Sequence, residues 1–402
     1  MSPDFPFVRG GTGLNTLQCS VIALLKSAVT GQAQPLPEDF SIAEVLQQTE
    51  AHHVSSMIYE GAALCGVNPL DPAMQTLFRR YCKALQISER QMRELNRVFA
   101  TFEENGIDYM PLKGCKMKSL YPRPELRIMG DADVLIRIEE REKIAQIMQS
   151  LGFSEKEETD HEWIWTTDGL HLELHKRLIP SYTKDFYAYF GEGWQLAKQE
   201  SGNRHAMSVE EELVFLFTHF AKHYRDGGIG FRYVVDLWLY LCNYPELDEN
   251  YVLQQLDILS LREFYRNIRQ LIAVWFDGAQ TDEKIDFITE FIFASGSWGE
   301  GNSRVLSRAI RDGKGPLLKR SGKLTYLLEL AFPGVMTLRG KYTVLKKHPW
   351  MLPLIWLWRP FYKVLFERGS LEERRETLEY VTVERIDDRR QALHYVGLDY
   401  NF

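Results

Sequence analysis

The chain has 402 residues, 45% hydrophobic and 26% charged, enough for a sizeable core in more than one packed unit. Its formal charge of −7 argues against broad non-specific nucleic-acid binding, which needs a basic surface, but leaves room for a nucleotide whose charge is carried by metal. Five scattered cysteines without zinc-ligand spacing, and a first stretch, MSPDFPFVRGG, lacking a basic and apolar leader pattern, point to a reducing, cytoplasmic setting.

In chain order, Leu14–Val29 carries Leu17, Val21, Leu24 and Leu25 at helical spacing. Ser41 caps a second helix reaching Glu50, with Glu44 completing a capping box. Val54–Cys65 reads as a third helix, and Pro72–Asn105 as a long one closed by Asn105-Gly106. His52 and His53, just before the third helix, read as structural or solvated. A short extended segment, Ile107–Leu112, then leads into a short helix, Cys115–Tyr121.

Next comes Asp131-Ala132-Asp133 followed by Val134-Leu135-Ile136. Alternate residues on a strand share a face, so both carboxylates project from one edge of a buried strand. Two close carboxylates repel and are costly to desolvate, and a hard divalent cation resolves the conflict. The plain alternative is a strand ending in a solvated polar loop. Lys113-Gly114 lies at a strand–helix turn, where glycine lets a phosphate approach the backbone; Lys113 and Arg127 could add cationic contacts. A helix over Glu139–Leu151 follows, with Ile144, Ile147, Met148 and Leu151 on one face. Asp168-Gly169 then marks a hairpin whose second strand alternates Leu170, Leu172 and Leu174 with His171, Glu173 and His175. Glu173 is either a third acid beside the first two or an ordinary solvent-facing glutamate.

Beyond Ser208 the pattern is helical through Tyr224, with His219 and His223 four apart. They read as packing histidines, with a metal or phosphate pair as the alternative. Phe231–Leu241 carries Arg232 and Asp236 at i, i+4, most simply a helix-surface ion pair, with Arg232 facing a substrate as the alternative. Helices continue over Tyr251–Asp277 and Asp282–Ser295; Gly296–Asn302 reads as a loop, Ser303–Arg311 as a helix broken at Asp312–Pro316, and Lys323–Phe332 as an apolar helix. Leu338–Phe366 mixes tryptophans with lysines and arginines, a composition that packs internally, docks a partner or lies on an anionic membrane. Glu372–Asp388 is strongly charged and reads as mostly solvated.

The run Leu112-Lys113-Gly114, Tyr121-Pro122, Arg127, Gly130-Asp131, Asp133, then Glu173 and His175, resembles the bacterial nucleotidyltransferase family 5 of the polymerase-β-like superfamily. The likeness extends through H-F-A-K-H, F-R-Y-V-V-D-L and the late F-P-G and K-K-H-P-W-M-L-P-L-I-W-L-W-R segments. It implies an α+β fold: a small mixed-sheet core at 106–180, a helical region at 1–105, a helical domain flanking the cleft at 181–295, and a helical, tryptophan-rich region at 296–402. It also implies a metal-binding D-x-D with a third carboxylate on a later strand. The superfamily's phosphate loop usually reads Gly-Ser or Gly-Gly; here it is Gly114-Cys115, and a thiol is a weak donor.

Two functions from different classes follow. The first is an Mg²⁺-dependent nucleotidyltransferase that moves NMP from an NTP to a hydroxyl of a small molecule, sugar or peptide. Asp131, Asp133 and Glu173 would be its metal ligands and catalytic acids, and Lys113, Gly114, Arg127, His175 and Arg232 its nucleotide contacts. The second is a catalytically silent protein of the same fold that docks a membrane or protein partner through 338–366. A metal-dependent phosphohydrolase built on His219, His223 and Asp226 ranks third.

Overall fold

The computed structural model describes residues 13–296, 344–358 and 382–399, together with Phe332, Gly334, Leu338 and Tyr342. The readings for 297–331 and 372–381 lie outside the described residues.

Four helices open the chain: α1 (Thr16–Thr30), α2 (Ile42–Thr49), α3 (Ser55–Leu64) and the 33-residue α4 (Pro72–Glu104). Side-chain caps start most of them. Asn15 and Gln18 form a reciprocal capping box, Ser41 accepts from the Glu44 amide, and Asp71 accepts from the Ala73 amide ahead of a proline at the first turn. Helices α1 and α3 touch backbone to backbone, because Gly61 has no side chain there. A Cβ at Gly61 would sit 2.0 Å from the Leu24 carbonyl oxygen.

A seven-stranded mixed sheet follows: β1 (Tyr109–Pro111), β2 (Ala132–Ile136), β3 (Ser154–Glu158), β4 (Glu162–Thr166), β5 (His171–His175), β6 (Lys198–Ser201) and β7 (Arg204–Ala206). Their spatial order is β3-β4-β5-β2-β1-β7-β6. The β4–β5 hairpin is antiparallel, whereas β2 and β5 lie parallel with Asp133 opposite Glu173 and Leu135 opposite His175.

That register decides which face carries chemistry. Ala132, Val134 and Ile136 point with Leu172 and Leu174 into a core made with Leu95, Val98 and Phe102 of α4. The same core includes Ile144, Ile147 and Met148 of α6 (Arg141–Ser150). A one-residue shift would have buried the acids there instead. The opposite face meets a helical layer: α7 (Lys184–Phe190), α8 (Val209–Asp226), α9 (Phe231–Asn243), α10 (Glu249–Ile258), α11 (Arg262–Phe276) and α12 (Glu283–Ser295). These helices share one core with α1–α3.

The C-terminal helix Val383–Tyr395 returns to this core through Leu393, Val396 and Leu398. Arg389 is buried with it and donates to the Tyr224 carbonyl at 2.9 Å. Between the two, Leu338, Leu345 and Ile355 form a small separate apolar cluster. No helix among the described residues is long and apolar enough to cross a membrane.

His52 resolves into a structural role. Its Nδ1 faces the Phe231 amide at 3.4 Å and its Nε2 the Phe293 carbonyl at 3.3 Å, with the ring stacked on Phe231. One nitrogen accepts and the other donates, so the ring is held neutral. Burial pushes its pKa down to about 4. His53 stays exposed.

Candidate active site

The eight residues expected to act, Asp131, Asp133, Glu173, Lys113, Gly114, Arg127, His175 and Arg232, all line one cleft between the sheet and α8–α9. Their positions within it differ.

Asp133 lies inside β2 with 4% of its surface exposed, and Glu173 and His175 lie two residues apart on β5. Ligand atoms of these three side chains all fall within 4.8 Å of one another. Asp131, one step before the strand, lines the same cleft but is not one of that tight set. His175 Nε2 sits 2.9 Å from Asp133 Oδ1 and 3.6 Å from Glu173 Oε2, and its Nδ1 is buried without a partner.

Lys113 opens α5 (Lys113–Met117) and places Nζ 2.7 Å from the same Asp133 Oδ1. Its φ of +38° is uncommon for a residue with a side chain; the tight turn out of β1 aims the ammonium at β2. Gly114 is closely packed. A Cβ there would meet Arg127 Nη1 at 3.0 Å and Met129 Sδ at 3.1 Å. The helix that follows is only five residues long, so a helix-terminus phosphate site has little to build on.

The electrostatics are lopsided. Burial opposes charge on Asp133, but Lys113 and the His175 hydrogen bond hold its carboxyl well below the usual range. Asp131 moves the other way, to about 6, first through burial and then through repulsion by Asp133 and Glu173. Burial and Lys113 work against the proton on His175, yet its hydrogen bonds to Asp133 and Glu173 raise its pKa overall. The Cys115 thiol, pushed up to about 12 chiefly by burial, stays neutral and packs against the core shared by the sheet and α4.

Arg127 does not reach into the cleft as a free fork. Its Nε and Nη2 donate to Asp236 Oδ1 and Oδ2, both at 2.8 Å, and Tyr121 donates to Oδ1 at 2.8 Å. The expected Arg232–Asp236 surface pair therefore does not form. Asp236 faces inward on α9, where a planar guanidinium satisfies both oxygens of a buried carboxylate. Arg232 instead donates from Nη1 to the Ile128 carbonyl at 2.8 Å, lies over Tyr233, and leaves Nε without a partner.

His219 and His223 of α8 pair with each other, Nε2 to Nε2 at 3.1 Å, beside Tyr233. Between them stands Lys222, which also lines the cleft. Burial and then the Lys113 ammonium lower the pKa of both His219 and Lys222. So α8 and α9 present cations opposite the acids of the sheet. Lys222, His161, Glu162 and Tyr233 are cleft residues that motif reading misses. For Lys222 a signal exists, since it shares a helix face with His219 at i+3. For Glu162 the signal is strand pairing, which sets it opposite His175.

A family model described as an uncharacterised nucleotidyltransferase matches residues 38–277. The chain belongs to this nucleotidyltransferase family. The matched span runs from just before α2 to the end of α11, so it takes in both walls of the cleft. No curated protein and no solved structure matches the chain.

The donor set fits a divalent cation. Asp133 and Glu173 converge with Asp131 nearby, carboxylate donors of the kind a hard cation takes, and the His175 imidazole beside them is hydrogen-bonded to Asp133.

Proposed function

We propose that this protein transfers a nucleotidyl group from an NTP to a hydroxyl acceptor, with Mg²⁺ held at Asp133 and Glu173 and supported by Asp131. The convergence of Asp133, Glu173 and His175 within 4.8 Å, in a chain of a nucleotidyltransferase family, carries the reading. A bound cation would neutralise phosphate oxygens and polarise the α-phosphate.

The chain's own residues supply the rest. Lys113 and His175 fix the Asp133 carboxylate in one orientation. Lys222 and Arg232 face the acids and receive the charge of the departing pyrophosphate. Glu173 takes the proton of the attacking hydroxyl as its oxygen bonds to the α-phosphorus and the bond to the bridging oxygen breaks. Met129, Leu216, Phe220 and Leu237 form the apolar part of the cleft, against which a base or acceptor can pack.

One observation favours a second reading, a silent protein of this fold: the Lys113 ammonium already satisfies Asp133. The two readings separate in one experiment. Each of the four α-labelled NTPs is incubated with Mg²⁺ and a panel of hydroxyl acceptors, and label transfer and pyrophosphate release are followed. Transfer that disappears in Asp133→Asn supports the enzyme. Nucleotide binding by calorimetry without pyrophosphate release under any condition supports the silent fold.

A further inference from the structure

The segment 344–358 is built unlike the rest of the chain. It begins with a turn of helix, Val344–Lys347, passes through Pro349–Met351, and is helical from 352 to 358. Leu345 and Ile355 are buried with Leu338, so the segment has a packed underside. Its other side is bare: Trp350 is 70% exposed, Leu354 56%, Leu357 70% and Trp358 56%. Leu354, Leu357 and Trp358 stand at i, i+3 and i+4, one face of a helix. Large side chains exposed together on one face mark an interaction surface, whereas scattered ones do not.

Charge says what covers it. From 338 to 366 the sequence has Arg339, Lys341, Lys346, Lys347, Arg359 and Lys363 and no aspartate or glutamate, in a chain whose net charge is −7. A second copy would bring the same basic stretch of sequence, with no acid in it to pair. Tryptophan and leucine bordered by lysine and arginine match the boundary of an anionic bilayer, where the rings sit at headgroup depth and the cations meet phosphates. The apolar run Pro349–Trp358, ended by Arg359, is about half of the roughly 20 residues needed to span, so the segment would lie along the surface.

We propose that 344–358 docks this protein onto an anionic lipid surface, with Trp350, Leu354, Leu357 and Trp358 entering the interface. The acceptor hydroxyl would then be presented near a membrane. The docking itself does not depend on nucleotidyl transfer.

The test is co-sedimentation of the full chain with vesicles of phosphatidylcholine alone and with vesicles containing one-third phosphatidylglycerol. The chain should pellet with the anionic vesicles and stay in solution with the neutral ones, and high salt should weaken the binding. Leu357→Glu combined with Trp350→Ser should lower the bound fraction about tenfold, and Lys346→Glu with Lys347→Glu should do nearly as much. Both variants should keep the wild-type circular dichroism; Trp350 and Leu357 are each 70% exposed, and the lysine variant changes only charge. No pelleting at either composition, equal pelleting of wild type and variants, or equal affinity for both vesicle types overturns the proposal. A dimer in light scattering that Leu357→Glu splits, without any lipid binding, overturns it in favour of a second copy.

Discussion

Asp133 and Asp236 are both buried and both line the cleft, yet they sit in opposite electrostatic regimes. Asp236 is closed: one guanidinium takes both its oxygens and a tyrosine hydroxyl takes one again. Asp133 is open. A lysine and a histidine share one of its oxygens, while Asp131 and Glu173 bring two further carboxylates beside it. The same residue type serves as a strut in one place and stands among further acids in the other. Counting partners against charges separates the two: a buried acid with both oxygens paired holds the fold together, and one crowded by other acids is a candidate for ligand chemistry.

The largest effect expected is on chemistry at the open site. Asp133→Asn removes a charge the proposed cation needs and keeps the shape. Turnover should fall about a thousandfold, the loss expected when several kcal/mol of transition-state stabilisation disappears; Asp133 also pairs with Lys113 and His175, so the melting temperature should fall as well, and turnover is compared well below it on protein with wild-type circular dichroism. Asp131→Asn should cost less, because Asp131 lies outside the tight set. Equal transfer by wild type and Asp133→Asn in single-turnover assays would remove Asp133 from catalysis.

The closed site should break the other way. Arg127→Ala strands Asp236 with only Tyr121, in a place with 7% exposure. Cutting one partner from a buried pair costs about 3–5 kcal/mol, so the unfolding midpoint in urea should drop sharply. Arg127→Met with Asp236→Leu, which removes both charges, should recover much of that stability. If Arg127→Ala instead keeps stability and loses nucleotide affinity, the guanidinium is a phosphate ligand and the contrast between the two aspartates fails.

A third buried group tests the same idea with pH. His52 is held neutral in the core, whereas His175 is pushed toward its charged form by Asp133 and Glu173. An unfolded histidine takes up a proton below about 6.5, and His52 resists until about 4. Between those values the unfolded state binds more protons, so stability is full above 6.5 and is lost as the pH falls toward 4. The loss should approach about 3 kcal/mol, the equivalent of the shift. In denaturant titrations, a His52→Gln variant should lack that share of the slope; an unchanged slope would show that His52 does not titrate across this range.

These contrasts are unevenly written in the sequence. The long helix α4 is legible because its periodicity repeats over many residues, the strand after Asp131 because an unbroken apolar run follows the aspartates, and Asp168-Gly169 marks the hairpin that delivers Glu173. Strands β3, β6 and β7 are not legible. Ser154–Glu158 and Lys198–Ser201 are polar edge strands without an apolar face, and Arg204–Ala206 is three residues long. The Arg127–Asp236 pair is invisible for another reason: its partners stand 109 residues apart, while Arg232 lies at a tempting four-residue spacing from the same aspartate. Local rules find local pairs, and the inward tilt of α9 is set by tertiary packing.

The smallest expected effect falls on Lys222, where the contrast between the two walls of the cleft is sharpest. Its ammonium is desolvated and faces Lys113, an arrangement that costs stability in the ligand-free protein. Lys222→Met keeps the length of the side chain and removes the charge, so the fold should hold or gain slightly in melting temperature. If Lys222 exists to meet phosphate, KM for the nucleotide should rise about tenfold with kcat changed less, since one ground-state phosphate contact is lost. Lys222→Arg should restore part of the affinity, because a cation returns to the same face. A purely structural lysine would give the reverse pattern, a lower melting temperature with KM unmoved. That outcome would mean the repulsion across the cleft is relieved by packing, and the positive wall would lose its role as the partner of the acidic one.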